Sequence, residues 1–524
     1  MNDEKKRILW ADDEIEHLRP HVKFLEDRGF IVDGVTNGED AIALAADPTA
    51  RFDLVILDEM MPGITGLEAV HGIKERAPYV PIIMVTKSED ETLIDAAIRK
   101  DIANYLVKPV NPLQVYTAAK QLLEGNRIRE SAVMRDYVEE FTVLRNLRSD
   151  SADPDDWIEV YRKLVDWDVR LDQHRDAGLL QTHEDAKLEA NIEFCRFVMK
   201  NYRTWVSAEA SQRPTLSVDI VSKYVAPLLR AKRKVYFIII DCLRLDQWAV
   251  LEALLEPYFD IRRDHYYSIL PTATSFSRNA IFAGLFPLQI AKRHPEYWSM
   301  PGDDEHSLNR FERQLLDLQL DRLGVRTNPS TKYIKVFNQD EAAAVKKDIA
   351  SLYSLPLVAL VFNFIDILLH GRSESEILQE MAPDEAAFRA LTTAWFKHSA
   401  LFDILKAVSR QDATVVLTTD HGAVLSRRST IAYGNRETST NLRFKIGMNL
   451  GCDEKNALHI KKPEEYELPS VGLNTHYILA KENYYFVYPT KYHEYERQYR
   501  GSFQHGGISM EEMLLPCVVM NPRR

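Results

Sequence analysis

Short apolar runs alternate with longer amphipathic stretches over the first 125 positions. The runs at 8–11, 54–57 and 82–85 are continuously apolar, as expected of parallel strands covered on both faces, and 104–107 reads as a further short strand. Between them, 15–28, 39–47, 66–76 and 89–100 keep apolar residues at helical spacing. The pattern predicts a doubly wound, (βα)5-type sheet over 1–125, with functional residues at the strand C-ends.

From 126 to 215 the β-branched runs disappear. Asp153 reads as an N-cap with Pro154 at the first helical position, and Trp157, Tyr161, Leu164 and Leu171 follow at helical intervals. Leu188, Ile192, Cys195, Met199, Tyr202 and Trp205 form a second apolar stripe, so a small helical bundle is predicted, with His174 and His183 on its surface. From 216 to 524 buried strands return at 235–240, 357–364, 415–418 and 514–520. The whole is thus an α/β multidomain chain of three parts: 1–125, 126–215 and 216–524.

Composition narrows the field. The 45% hydrophobic content of 524 residues supplies several cores, and a net charge of -12 argues against a broad basic groove for duplex nucleic acid. No segment with the basic recognition face of a helix-turn-helix is apparent. Four dispersed cysteines with no Cys-x-x-Cys fit a reducing, cytoplasmic setting. The N-terminus lacks a signal-peptide core, and the longest apolar stretch, 355–369, is interrupted by Asn363 and Asp366, so neither secretion nor a membrane span is expected.

Candidate chemistry clusters at strand ends. Asp12 and Asp13 follow the first strand and Asp58 ends the next apolar run; together they can hold one hard cation while Asp58 stays able to attack a phosphoryl donor. Farther on, Asp241 ends a strand, Thr272 and Thr274 sit in a hydroxyl-rich turn opening an apolar helix, and Asp366 and His370 stand four apart on one helical face. Asp420-His421 ends another strand, and His505 precedes the last one. A carboxylate and imidazole set of this kind suits zinc or manganese.

The first 120 residues, with Asp12-Asp13, the 58–63 loop, Gly66, Thr86 and Lys108-Pro109, closely resemble the receiver domain of two-component response regulators. The resemblance implies that Asp58 accepts a phosphoryl group from a sensor histidine kinase, and that Asp13, Asp58 and the Met60 carbonyl bind one Mg²⁺ with Asp12 acting through water. It also implies that Thr86 and Lys108 contact the phosphoryl group, that Pro109 follows a cis bond, and that Tyr105 rotates inward on activation.

The ordered set Asp, Thr, Asp-x3-His, Asp-His, His resembles the alkaline phosphatase superfamily, PglZ-type domains included. It implies two Zn²⁺ sites, one from Asp241, Asp420, His421 and a threonine oxygen, the other from Asp366, His370 and His505. The superfamily's nucleophile stands ten residues before the glycine of the helix it opens. Counting back from Gly284 gives Thr274, with Arg278 near the anion; Thr272 is the runner-up. Residues 285–338 would be a substrate-selecting cap, with 301–306 a solvated loop of it. Arg443, Lys445, His476 and the aromatic stretch 484–499 are further candidates for lining the site.

The order receiver, helical connector, PglZ-type domain resembles the response regulators of type IX secretion. The expected function is a metal-dependent phosphodiesterase or phosphatase acting on a nucleotide or oligonucleotide, controlled by phosphorylation and by homodimer formation, and governing secretion genes through a sigma factor. The alternative is a transcriptional or scaffold regulator whose metal domain is structural.

Overall fold

The computed structural model describes residues 6–45, 52–77, 80–87, 102–148, 151–172, 177–299, 309–327, 331–434, 441–470, 472, 474–490 and 492–523, which fall into two compact units, Met1–Thr142 and Val143–Arg524. The expected helix at 89–100, His174 and the loop 301–306 lie outside the described residues.

In the first unit five parallel strands, β1 (Arg7–Ala11), β2 (Ile31–Val35), β3 (Leu54–Asp58), β4 (Ile82–Thr86) and β5 (Asn104–Val107), pair in the order β2-β1-β3-β4-β5. Three of the runs legible in the sequence are the buried central strands, and the fourth is the half-buried edge strand β5. β2 was not among them because Ile-Val-Asp-Gly-Val is an edge strand, only half covered, whose Asp33 pairs with Arg7 at 2.5 Å. The helix expected over 15–28 spans only Arg19–Glu26. Pro20 has no N–H to donate, which suits the first turn and no deeper position, and 12–18 remain a turn that carries the acidic pair. Gly66 opens the helix Gly66–Arg76 so close to β3 that a Cβ there would sit 2.2 Å from the Asp58 carbonyl oxygen.

The second unit is built on a six-stranded sheet. Its strands are β6 (Lys234–Ile240), β7 (Phe259–Tyr267), β8 (Lys332–Val336), β9 (Leu357–Phe362), β10 (Ala413–Thr418) and a last strand, Leu514–Pro522. Their order is β7, last strand, β10, β6, β9, β8; the last strand alone runs antiparallel to its neighbours β7 and β10, and β10, β6, β9 and β8 are mutually parallel. β9 and β10 are buried throughout and β6 in all but its first residue, each buried Val, Leu, Ile or Phe among them contributing about 1.5–3 kcal/mol. Because β10, β6 and β9 are neighbours running the same way, the residues after them emerge side by side at one edge.

Asp153 caps the helix Pro154–Leu171 through a capping box with Asp156, as expected. A second helix spans Ala177–Ser207. Their apolar stripes face the sheet's own core: Trp205 packs on Tyr267 at 5.1 Å and Phe194 on the same ring at 6.2 Å. His183 is not on the surface. It is 3% exposed and its Nε2 lies 3.1 Å from Asp168 Oδ1. Nor do the described residues of 285–338 form a separate cap, since β8 joins the edge of the main sheet and the helix Glu312–Arg322 packs on the helix Thr274–Ala283. Among the described residues no helix is long and apolar enough to cross a membrane.

Candidate metal centre and phosphoacceptor site

At the C-end of β6 stands Asp241, and at the C-end of β10 stand Asp420 and His421; the ligand atoms of the three lie within 4.8 Å of one another. The chain can pass here only because residue 422 is glycine, whose Cβ would meet the Glu511 carbonyl oxygen at 2.0 Å. His421 Nδ1 is 3.1 Å from the Gly422 carbonyl oxygen, which places its proton there and leaves the Nε2 lone pair facing the site. Thr274, first residue of the helix Thr274–Ala283, sets its Oγ1 2.9 Å from that Nε2. Gly284, at φ 58°, ends the same helix in a left-handed turn open to glycine.

A second triad, Asp366, His370 and His505, is equally compact. The helix Phe364–Glu374 puts Asp366 and His370 on one face, with His370 Nε2 3.4 Å from Asp366 Oδ1, and His505 Nε2 lies 3.7 Å from the same oxygen. The rings of His421 and His505 stack with centroids 4.2 Å apart, so the two triads adjoin.

Electrostatics favour cations in both. Asp241 Oδ1, Asp420 Oδ2 and Asp366 Oδ1 are buried and make no hydrogen bond, a costly state unless positive charge is supplied. Burial pushes the Asp241 carboxyl up, Arg278 opposes this, and the neighbouring Asp420 carboxylate adds to the rise. Burial and then the neighbouring His421 imidazole hold the His505 pKa well below the usual histidine range, so its ring is a neutral donor. Burial works against ionised Asp366, yet the contact with His370 keeps its carboxyl well below the ordinary value. These atoms fit two divalent cations.

Arg278 departs from the expected anion-facing position. It is 1% exposed, with Nη1 2.5 Å from Asp241 Oδ2 and Nε 2.6 Å from Glu312 Oε1, so its guanidinium orients a carboxylate of the first triad. Thr272 is also occupied, donating to the Gly507 carbonyl at 2.9 Å and accepting from the Gly506 N–H at 3.1 Å. Arg443 is bound to Glu512, Lys445 lies under Tyr488 at 5.2 Å, and His476 pairs with His459 at 3.2 Å. Sequence reasoning missed Glu312, which anchors Arg278, and Asn309, which donates to the Thr274 carbonyl at 3.1 Å. Both sit in a stretch with no strand-end signature.

In the first unit Asp12, Asp13 and Asp58 form a third compact group. Lys108 Nζ reaches Asp58 at 2.9 Å and Asp12 at 3.1 Å, and the Lys108-Pro109 bond is cis. Burial raises the Asp58 pKa, with the bond from Lys108 opposing. Thr86 Oγ1 donates to Glu59, Tyr105 is half-buried, and Met60 is 63% exposed. This group fits one further cation.

Comparison with known proteins finds three family models along the chain. Residues 220–520, more than half of the chain, match the model of the BREX system PglZ alkaline phosphatase-like domain, residues 8–120 the response regulator receiver domain, and 127–206 the PorX response regulator linker domain. The transcriptional regulatory protein ResD of Bacillus subtilis is 36% identical over 22% of this chain and 48% of its own length, so this chain spans less than half of that relative. The Regulator of RpoS of Escherichia coli is 25% identical over 56% of this chain and 78% of its own. Among solved structures, the response regulator TrrA of Thermotoga maritima, in complex with Mg²⁺ and BeF, is 32% identical, covering 22% of this chain and 99% of that one at a TM-score of 0.20.

Proposed function

We propose, from the premise that this chain belongs to the PglZ alkaline phosphatase-like family, that its response regulator receiver governs a two-metal phosphoric ester hydrolase acting on phosphodiesters of the nucleotide or oligonucleotide kind. The observation that carries this is Thr274 Oγ1 at 2.9 Å from His421 Nε2, beside two triads whose buried carboxylate oxygens make no hydrogen bond.

Asp241, Asp420, His421 and Thr274 would hold one cation, zinc or manganese, and Asp366, His370 and His505 the other. Two bound cations supply the positive charge that phosphoryl transfer needs on its attacking and leaving oxygens. Thr274 Oγ1 would form the new bond to phosphorus as the ester oxygen leaves, and water would then release the phosphoryl group from Thr274. Arg278 and Glu312 hold Asp241, and Thr272 ties down the loop that carries His505. In the receiver, Asp58 would take the phosphoryl group from a sensor histidine kinase with Asp12, Asp13, the Met60 carbonyl and one Mg²⁺, and Thr86, Lys108 and Tyr105 would respond to it.

The match to a PorX-type linker supports the narrower expectation that the targets are type IX secretion genes. A second reading, a regulator that binds a transcription partner such as a sigma factor while its metal domain is structural, draws support from the likeness to a protein named as a regulator. A panel of phosphomonoesters, cyclic and linear dinucleotides and short oligonucleotides, tested on metal-loaded protein, separates the two: the hydrolase reading requires turnover of at least one phosphodiester.

A further inference from the structure

The helix Ala177–Ser207 carries a buried polar stripe that neither triad contains. His183, Lys187, Asn191 and Cys195 recur every four residues on one face, each 6% exposed or less. The first two are held by Asp168, and Lys187 also by Glu385 at 2.7 Å. The other two point at a different target, the segment that runs on from His505.

Asn191 Oδ1 accepts the Met510 N–H at 2.8 Å, the first N–H of the helix Met510–Met513 and so one without a partner inside it, while Nδ2 donates to the Glu511 carboxylate at 3.0 and 3.1 Å. Cys195 Sγ donates to the Ile508 carbonyl at 3.1 Å. From these anchors both triads are one step away. Upstream, Gly507 N–H is held by Glu512 at 2.8 Å and its carbonyl by Thr272, two residues past His505. Sideways, Gly422 N–H donates to the Glu512 carbonyl at 3.2 Å, and a Cβ at 422 would strike the Glu511 carbonyl; His421 is the residue before.

We propose that Asn191 is a positioning residue of the metal centre, and that through it the helix Ala177–Ser207 sets the geometry of His505 and His421 together. The proposal rests on the metal-binding reading above. Outer partners of metal ligands affect how well the ligands are oriented, and their loss commonly weakens metal affinity about 10–100-fold. A buried asparagine that served only to satisfy a helix end would matter for folding and not for the metal.

The test is zinc competition against a chromophoric chelator on the full-length protein, with thermal unfolding measured alongside. Asn191→Leu removes both polar contacts, and Asn191→Ser leaves a hydroxyl too short to span them. Leu164→Ala, a truncation in the apolar core of the neighbouring helix, serves as a stability control. Both Asn191 variants should still bind as many ions at saturation as the wild type, with affinity lower by about 10-fold or more, while Leu164→Ala lowers the melting temperature and leaves zinc affinity unchanged. Should Asn191→Leu fail to fold, Asn191→Ser carries the same comparison. Folded Asn191 variants that bind zinc within about twofold of wild type, well short of the expected loss, would overturn the proposal alone. A wild-type protein that binds no zinc would overturn the metal-binding reading and this inference with it.

Discussion

The imidazoles of His421 and His505 stack at 4.2 Å, only 19° from parallel, although 84 positions separate them in sequence. One belongs to each triad, so this pair is the seam of the candidate centre. Burial beside a second imidazole disfavours a charged His505, and two stacked rings with their nitrogens turned to carboxylates make an arrangement that a pair of cations completes.

Purified protein should accordingly carry about two zinc or manganese ions per chain in the second unit. Elemental analysis of the double variant Asp366→Ala, His370→Ala should find about one ion fewer, with the Asp241, Asp420, His421 group still loaded. Unchanged stoichiometry would mean that the ligands are paired wrongly.

Replacing Thr274 by Val keeps the volume and removes the oxygen 2.9 Å from His421, so hydrolysis of an activated phosphodiester should fall by about three orders of magnitude or more with the fold intact. Thr272→Val should act on stability instead, at about 1–3 kcal/mol, because it leaves the Gly506 N–H and the Gly507 carbonyl unpaired in a buried site. Kinetics and chemical denaturation on both variants check the ranking. The reverse order would refute the assignment of the nucleophile.

Lys445 gives a pH signature away from the metals. It is 3% exposed, and burial lowers its pKa to about 8. The unfolded chain therefore binds more protons than the folded one between about pH 8 and the ordinary lysine value of 10.5, and stability should rise with pH across that window by roughly 3 kcal/mol. Below pH 8 the cost of charging the buried amine is constant. Lys445→Met should be more stable than wild type at pH 7, and the difference between the two should shrink from pH 8 to 10.5. A difference that does not vary with pH would contradict this.

Phosphorylation of Asp58 should drive self-association. In this structure Thr86 is bonded to Glu59, so a phosphoryl group adding about -1.5 to -2 of charge must draw Thr86 away while Lys108 neutralises it. β5 and the start of the helix Pro112–Leu147 expose the apolar side chains of Val107 and Leu113 close in sequence to Lys108. Light scattering with a beryllofluoride mimic should show a doubling of mass that Leu113→Glu suppresses; a monomer with Asp58 demonstrably occupied would exclude the dimer.

The sequence was most readable where one residue type has one physical use. Continuous apolar runs leading into Asp58, Asp241 or Asp420 read as buried strands, and the carboxylates that follow them lie in the compact groups that the structure brings together. Partners recruited from elsewhere left no local trace. Glu312 and Asn309 lie in a polar stretch, and nothing in it says that one anchors Arg278 and the other the Thr274 carbonyl. His183 was misread as a surface residue because its burial depends on Asp168, fifteen positions away on another helix. The half-covered strand β2 lacked the continuous apolar run that marked its neighbours.

The central claim is hydrolysis at Thr274, and the most direct measurement is turnover of bis(p-nitrophenyl) phosphate by full-length protein loaded with zinc, stripped with chelator and reloaded. Wild type should hydrolyse the diester when loaded, lose activity on stripping and recover on reloading, while metal-loaded Thr274→Val stays inactive at every step. Loaded wild type that fails to turn over this or any other phosphodiester, or Thr274→Val that matches wild type, would contradict the account.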